Sequence, residues 1–206
     1  MYSAMSWLSR LGFVAPTACA AGDEAALLAR LADGDADALA LVYRRESGSV
    51  YRYALALAGD EASALDAVQE SFAQLLRGPQ AYQPGRGSLG AYLAGMARHQ
   101  LLSQWRDARR HVSLDDSLDT DDAAEAAEAV PASDTRLNQA QQQDGLWAAI
   151  RRLSWPQREA IVLVDLQERS YEDAAAIAGV GVDVLRTRLH RARQRLADLL
   201  GVGERP

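Results

Sequence analysis

The chain has 206 residues, and its 22 basic and 28 acidic residues give a formal net charge of −6. A chain of this length forms one large domain or two small ones. The single cysteine excludes an internal disulfide framework and a zinc site built on cysteines. No apolar run reaches the ~20 residues that a membrane span needs.

All 22 basic residues are arginine, and the many alanines favour helices over strands. The negative charge is concentrated in residues 111–135, which carry eight acids and no arginine. Such a stretch, poor in large apolar residues, cannot bury enough surface to order itself. We therefore predict an acidic linker at 111–135 between two small helical domains at 23–110 and 136–200. A solvated surface helix is the alternative for its Ala/Glu portion.

Residues 1–22 are predicted to form an extension outside the helical domains, and residues 201–206 a short tail. The apolar run of the extension is interrupted by Pro16, and its only positive charge, Arg10, comes late. Both features disfavour a secretory signal peptide. We therefore expect the chain to act in the cytoplasm.

Helical periodicity dominates the first domain. A short helix around Leu27 to Leu31 is followed by a segment that Asp35 or Asp37 can cap. A further stripe ends at Gly59, and Asp60 starts the next helix. Its apolar stripe, at three- and four-residue steps, consists of Leu65, Val68, Phe72, Leu75 and Leu76. Its opposite face carries Asp66, Gln69, Glu70 and Gln74.

A glycine-rich loop at 83–88 precedes a long helix from about Leu89 to Arg110. The second half of this helix is cationic and carries Arg98, Arg106, Arg109 and Arg110. A cationic helix beside a basic loop can bind nucleic acid, because arginine pairs with phosphates and stacks on bases. A solvated helix with cations at its C-terminal end would show the same residues, so charge alone does not decide.

The second domain has a more specific pattern. Ser154 and Ser170 are each expected to cap a helix, and Ser170 begins a capping-box-like sequence. The turn Gly179-Val180-Gly181 leads into a helix from about Val182 to Leu200. Two helices joined by a short glycine-containing turn are typical of a helix-turn-helix. The inward residues of the second helix are predicted to include Val184, Leu185, Leu189, Ala192 and Leu196.

That second helix is strongly cationic, with five arginines and one aspartate between Val182 and Arg195. Such a helix fits the major groove, where arginine reads guanine edges and phosphate contacts fix the register. An amphipathic helix in a bundle is the alternative, but turn, cap and charge agree on DNA binding. Asp183 either caps the helix or accepts a hydrogen bond from cytosine.

Three segments carry a family resemblance: 66–72 (DAVQESF), 170–175 (SYEDAA) and 186–193 (RTRLHRAR). They resemble bacterial sigma factors of the sigma-70 superfamily, in particular the extracytoplasmic-function (ECF) type. The last two look like the carboxy-terminal domain of that family. Residues 66–72 (DAVQESF) resemble the most recognisable block of its first domain. Tyr92-Leu93 with 96–98 (MAR) resembles its promoter-melting helix.

The resemblance implies an all-α protein that binds core RNA polymerase and directs it to promoters. The first domain (region 2) would engage the minus-ten element, and the second (region 4) the minus-thirty-five element. A polymerase coiled coil would bind Asp66, Gln69, Glu70 and Gln74. The family also implies an anti-sigma partner, and a linker threaded through the polymerase cleft. There the acids of the linker would mimic RNA or serve as a plain spacer.

The resemblance also implies two sets of DNA-binding residues. The minus-ten set is Arg86, Ser88, Leu89, Arg98, His99, Arg106, Arg109 and Arg110. The minus-thirty-five set is Ser170, Tyr171, Asp183, Val184, Arg186, Thr187, Arg188, His190, Arg191 and Arg193. His99 stands where the family often has Asn, and Ser103 where it often has Asp, so the preferred minus-ten base is left open.

Two other functions fit the same residues. One is a helix-turn-helix regulator that does not capture polymerase, and the other is a sigma-like decoy that binds an anti-sigma partner without DNA. An enzyme is disfavoured, because no nucleophile–base pair or phosphate-cradling glycine loop is present. No cofactor or metal site is predicted, since no spacing brings His99, His111 and His190 together.

Overall fold

The computed structural model of the chain describes residues 21–84, 87–112 and 139–201. Within these ranges every regular element is helical, which confirms the predicted all-α class. The first bundle consists of α1 (Ala21–Ala32), α2 (Ala36–Ala58), α3 (Glu61–Arg77) and α4 (Leu89–Val112). The second bundle consists of α5 (Gln139–Arg151), α6 (Trp155–Ala160), α7 (Tyr171–Ala178) and α8 (Val182–Leu199). Arg86, most of the predicted extension and nearly all of the predicted linker lie outside the described residues.

The helix starts of the first bundle follow the predicted caps. Asp35 accepts hydrogen bonds from the backbone N–H groups of Asp37 at 2.9 Å and Ala38 at 3.2 Å. Asp60 accepts one from the N–H of Ser63 at 2.8 Å. Gly59 ends α2 with a φ of 84°, a conformation that glycine adopts without steric cost. The two stripes predicted between Asp35 and Gly59 form one continuous helix.

In the second bundle, Ser170 caps α7 by accepting from the N–H of Asp173 at 3.0 Å, as predicted. Ser154 stands at the start of α6, but its buried hydroxyl has no hydrogen-bond partner among the described residues. Ser154 therefore occupies the predicted N-cap position, but its side chain makes no capping hydrogen bond. Asp183 is not the N-cap of α8, because Gly181 occupies that position. A π-helical segment at Ile161–Leu166, which periodicity did not predict, follows α6 directly.

Three residues assigned to apolar stripes are exposed instead. Leu65, Leu76 and Val184 expose 43%, 45% and 44% of their surface. Val68, Phe72 and Leu75 fill the interior face of α3, so Leu65 and Leu76 fall at the edges of that stripe. On α8 the buried positions are Leu185, Leu189, Ala192 and Leu196. Among the described helices, none is both long and apolar enough to cross a bilayer.

The two bundles pack directly against each other, mainly through α4 and α7. Polar groups also cross this interface: the Gln167 side-chain amide donates to the Ser49 carbonyl at 3.0 Å. The Arg158 guanidinium donates to the Leu57 carbonyl at 2.8 Å. Buried polar groups are costly unless they are hydrogen-bonded, so these pairs fix one specific docking of the bundles.

Candidate nucleic-acid interface

Helix α8 turns its apolar stripe to the core of the second bundle and its cations to solvent. Arg186, Thr187, His190 and Arg191 are exposed, whereas Arg188 and Arg193 are half-buried. Val184 adds an exposed apolar side chain to the same helix. The helix therefore presents exposed arginines on a packed helical scaffold, an arrangement that suits phosphate and base-edge contacts.

Four of the predicted residues meet where α7 and α8 begin. The Arg186 guanidinium lies 5.4 Å from the centre of the Tyr171 ring, and its Nη1 lies 3.1 Å from Asp183 Oδ1. The Thr187 hydroxyl donates to the Asp183 carbonyl at 2.9 Å. The Asp183 side chain is 97% exposed, and such open ion pairs contribute little to stability. Arg186 is thus held near the start of α8 by weak contacts that it can exchange for others.

Arg193 has a structural partner. Its Nε and Nη2 atoms lie 3.1 Å and 2.5 Å from the two carboxylate oxygens of Asp165, a two-point pairing that ties α8 to the π-helical segment. Ser170 likewise uses its hydroxyl to cap α7. The expected DNA contacts of Arg193 and Ser170 stay predictions.

The polar face of α3, which we call the polar ridge, consists of Asp66, Gln69, Glu70 and Gln74. Three of them are exposed and Glu70 is half-buried. Glu70 accepts from the Gln74 amide at 3.1 Å and pairs with Arg77. These two partners hold the pKa of the Glu70 carboxyl below its ordinary value, so the ridge carries negative charge.

An apolar groove of about 430 Å³ runs beside the polar ridge, between α2 and α3. Its lining includes Leu39, Tyr43, Phe72 and Leu76, and the Tyr43 and Phe72 ring centres lie 4.9 Å apart. Tyr43 and Leu76 are both exposed, although the sequence periodicity placed Leu76 in the apolar stripe of α3. Their exposure gives the ridge an apolar flank, a combination suited to an amphipathic helix.

A second cavity, which we call the loop pocket, has a volume of about 460 Å³. It lies between the 83–88 loop and the first turns of α4. Its lining from the first bundle includes Tyr82, Gln83, Gly87, Ser88, Tyr92, Met96 and His99. The Tyr82 and Tyr92 rings pack with their centres 5.5 Å apart. The pocket thus brings together the predicted residues Ser88 and His99 with aromatic side chains.

Leu89, expected among the minus-ten DNA-binding residues, is fully buried in the core and does not line this pocket. It is the first residue of α4, and its side chain lies on the face that packs inside the bundle. Ser88 caps the helix, because its hydroxyl accepts from the N–H of Ala91 at 3.2 Å. The pocket wall is therefore built by Ser88 and by residues one turn and more along α4.

Residues of α7 complete the loop pocket. Ala176 and Ile177 of the second bundle line the same cavity as His99 and Met96. Ile177 is 5% exposed, so the first bundle and the helices around it cover its side chain. The second bundle therefore covers part of the pocket in this arrangement.

Arg98 lies at the same interface. Its Nε and Nη2 atoms are 2.6 Å and 3.3 Å from the carboxylate oxygens of Glu159, which also accepts from the Tyr53 hydroxyl at 2.9 Å. We call Glu159, Arg98 and Tyr53 the Glu159 cluster. Glu159 is 1% exposed, and burial together with the nearby carboxylate raises the pKa of the Tyr53 hydroxyl well above its ordinary value. Tyr53 therefore stays a neutral donor.

The remaining cations of the predicted minus-ten set either belong to α4 or, like Arg86, lie outside the described residues. Arg106 is exposed on α4. Arg109 and Arg110 belong to the same helix, but their side chains are outside the described part of the chain. No group of acids, histidines and cysteines among the described residues could hold a metal ion.

Sequence reasoning missed Glu159, Ile177 and Tyr82. Glu159 and Arg98 are 61 positions apart, and no local pattern indicates that they pair. Tyr82 directly precedes the predicted loop, so an aromatic residue at that position was a usable signal. The Tyr82 hydroxyl contacts Glu24 of α1, and no local pattern places these two residues together.

Comparison with known families supports the division into two bundles. Residues 42–111 match the family model of Sigma-70 region 2, and residues 143–196 match Sigma-70, region 4. The first match begins within α2 and runs into the end of α4, and the second covers most of α5 and runs to near the end of α8.

Individual proteins are also similar. The ECF RNA polymerase sigma factor EcfG of Rhodopseudomonas palustris is 35% identical over 155 residues, which cover 75% of this chain and 80% of that protein. SigE of Mycolicibacterium smegmatis is 32% identical over 76% of this chain, but the match spans only 59% of SigE. The solved structure of RpoE from Bartonella quintana, in complex with the anti-sigma factor NepR, matches with a TM-score of 0.60 at 29% identity. That match covers 80% of this chain and 97% of RpoE.

Proposed function

Because the chain belongs to the ECF group of RNA polymerase sigma factors, we propose that it binds core RNA polymerase and directs it to promoters. The observation that carries this proposal is the pairing, on one chain, of an exposed cationic α8 with the loop pocket and the polar ridge. The sigma family consists of transcription factors without a catalytic role, and we propose no reaction for this chain. Its site of action would be the cytoplasm, where polymerase and promoter DNA meet.

The polar ridge and the apolar groove beside it would form the polymerase-binding surface. Asp66 and Glu70 supply negative charge, and Leu39 and Phe72 line the groove next to them. A basic amphipathic helix could place its apolar side chains in the groove and its cations over the ridge. Charge complementarity of this kind selects the partner and speeds its capture.

The loop pocket would take a base extruded from the minus-ten element. Flipping a base costs a few kcal/mol, which stacking and edge contacts in a fitted pocket offset. Tyr92 offers an aromatic face, and His99 and Ser88 offer hydrogen-bonding groups at the same cavity. Arg98 and Arg106, on the next turns of α4, would contact the phosphates of the melted strand.

The exposed face of α8 would read the minus-thirty-five element in the major groove. Arg186 and Arg191 would contact guanine edges or phosphates, and Thr187 and His190 lie exposed beside them. This assignment rests on exposure and charge.

Engagement of both promoter elements would require the two bundles to separate. Arg98 is paired with Glu159, and Ile177 covers part of the loop pocket, so the minus-ten strand and the second bundle compete for the same surface. The two elements lie about 55–60 Å apart along the duplex at ~3.4 Å per base pair. The 26 residues between α4 and α5 can span about 85 Å when extended, so the tether permits this separation.

An anti-sigma factor is a further proposed partner. The similar RpoE was solved with the anti-sigma factor NepR. A partner that holds the two bundles together would keep Arg98 and the loop pocket away from DNA.

The proposed function is tested by run-off transcription with purified core polymerase over a library of promoters. The wild-type chain is expected to start transcripts from a defined subset and to reveal both preferred elements. Asp66→Arg with Glu70→Arg should abolish capture of core polymerase, because the ridge then repels a basic partner. The matched control is Asp33→Arg with Asp198→Arg, which makes the same change of charge at exposed sites elsewhere. Undiminished capture by the ridge variant would make the ridge assignment wrong, and no transcript from any template would overturn the function.

A further inference from the structure

A buried carboxylate of α1 lies behind the loop pocket. Glu24 is only 5% exposed. It belongs neither to the polar ridge nor to α8. Its Oε2 lies 2.5 Å from the Tyr82 hydroxyl and 3.3 Å from the backbone nitrogen of Leu89. Its Oε1 lies 3.4 Å from Arg45 Nη2. A buried carboxylate is costly unless it is paired and hydrogen-bonded, and these partners satisfy it.

Tyr82 connects this carboxylate to the loop. Its side chain is 6% exposed, and its hydroxyl also lies 2.9 Å from the Gly87 carbonyl. A hydroxyl has one proton, so it donates to Glu24 or to Gly87 at a given moment and keeps both within contact distance. Gly87 has a φ of 138°, which L side chains rarely adopt, so the direction of this carbonyl depends on glycine.

The same carboxylate therefore reaches both sides of the pocket. Tyr82 and Gly87 flank the loop on one side, and Leu89 begins the helix whose residues Tyr92 and His99 form the other wall. The Leu89 N–H is one of the otherwise unpaired donors at the start of α4, and a negative charge there is also favoured by the helix dipole. Glu24 fixes the distance between the loop and α4 without touching the cavity itself.

We propose that Glu24 and Tyr82 are positioning residues that set the shape of the loop pocket and hence its choice of minus-ten base. This inference rests on the proposed function of the pocket and adds the residues that control its selectivity. Glu24 acts through Tyr82 and the start of α4. A pocket with loose walls accepts several bases, because discrimination depends on contacts placed to within a fraction of an ångström.

The test uses the full chain in holoenzyme reconstituted with core polymerase. Single-stranded minus-ten oligonucleotides carrying each of the four bases at the captured position are bound, and the affinity ratio of best to next-best base is measured. This ratio does not change with the fraction of correctly folded protein, so a merely structural role would leave it unmoved. Glu24→Gln and Tyr82→Phe are each expected to lower the ratio about fivefold. This loss is smaller than the full discrimination against a wrong base that one base contact supplies.

A second tyrosine–carboxylate pair in the same bundle provides the control. Tyr51 is half-buried and its hydroxyl interacts with Glu61, away from the pocket. Tyr51→Phe and Glu61→Gln should leave the ratio unchanged. If the wild-type holoenzyme is selective and both pocket variants keep its ratio, this inference is overturned while the proposed function stands. An equal loss of the ratio in the control variants would also overturn this inference. A wild-type holoenzyme that prefers no base at any minus-ten position would overturn the proposed function of the pocket and this inference with it.

Discussion

The two candidate DNA surfaces differ in how far they are open to a ligand. Helix α8 exposes Arg186 and Arg191 to solvent on the outer side of the second bundle. The loop pocket is partly covered, with Ile177 in its wall and Arg98 bound to Glu159. The surface that would read duplex DNA is therefore open, whereas the surface that would capture a single strand is partly covered while the bundles are docked.

This difference follows from the two sides of the helix-turn-helix. α7 packs against α4 with one side and against α8 with another, so the docking of the bundles uses α7 and leaves the cationic side of α8 untouched. The Glu159 cluster reinforces that docking with a buried charge pair. An equilibrium between closed and open arrangements would regulate the minus-ten surface and leave the minus-thirty-five surface unaffected.

The largest expected effect comes from Glu159→Gln. Breaking a buried ion pair costs about 3 kcal/mol or more, because the partner charge is left uncompensated. The variant should separate the bundles and raise the affinity of the free chain for a single-stranded minus-ten oligonucleotide about tenfold or more. This gain is limited by the fraction of wild-type molecules in which the bundles are docked, because only those molecules gain affinity by opening. Fluorescence anisotropy measures the binding, and energy transfer between dyes on the two bundles measures the opening.

Glu172→Gln is the matched control for this variant, since Glu172 is an exposed acid of the same bundle. It should change neither the distance between the bundles nor the affinity. Duplex binding through α8 should be equal in the wild-type protein, Glu159→Gln and Glu172→Gln. If Glu159→Gln leaves both the distance and the single-strand affinity at wild-type values, the covered surface is not controlled by this cluster.

A smaller effect is expected from Arg191→Ala on α8. If Arg191 contacts a base, its loss should weaken binding to a minus-thirty-five duplex by about 1–3 kcal/mol. If it contacts a phosphate, its loss should reduce the slope of log affinity against log salt concentration by about one. Single-strand binding should not change. Titrations at several salt concentrations distinguish the two outcomes. Arg44→Ala, which removes an exposed arginine of α2, should leave duplex binding unaltered, and an equal loss in this control would contradict the assignment.

The smallest effect is a pH dependence centred on Tyr53. Burial and Glu159 raise the pKa of this hydroxyl above its ordinary value of 10.0. Above pH 10 the unfolded chain therefore releases this proton while the folded chain keeps it, and stability falls by about 1.4 kcal/mol per pH unit from this group. Tyr53→Phe should remove this contribution to the pH dependence of the free energy of unfolding, measured by urea unfolding between pH 9 and pH 11. Identical slopes in the two proteins would show that the hydroxyl ionises freely when folded.

Much of the local structure could be predicted because its causes lie within a few residues. Asp35, Asp60 and Ser170 begin helices where their side chains reach the next N–H groups. Leu185 and Leu189 are buried, as the three- and four-residue spacing indicates. The same rule failed at Leu65 and Leu76, because periodicity gives the direction of a stripe but not its width. The width depends on how much of α3 the neighbouring helices cover.

The sequence by itself determined the helices, the caps at Asp35, Asp60 and Ser170, the exposed cations of α8 and the polar ridge, because capping and periodic burial act over one or two turns. Only the tertiary structure decided that Glu159 meets Arg98 and Tyr53, that α7 covers the loop pocket, and that Glu24 supports its walls. These contacts join residues 58 to 106 positions apart. They depend on the relative placement of whole helices and bundles, which local spacing does not encode.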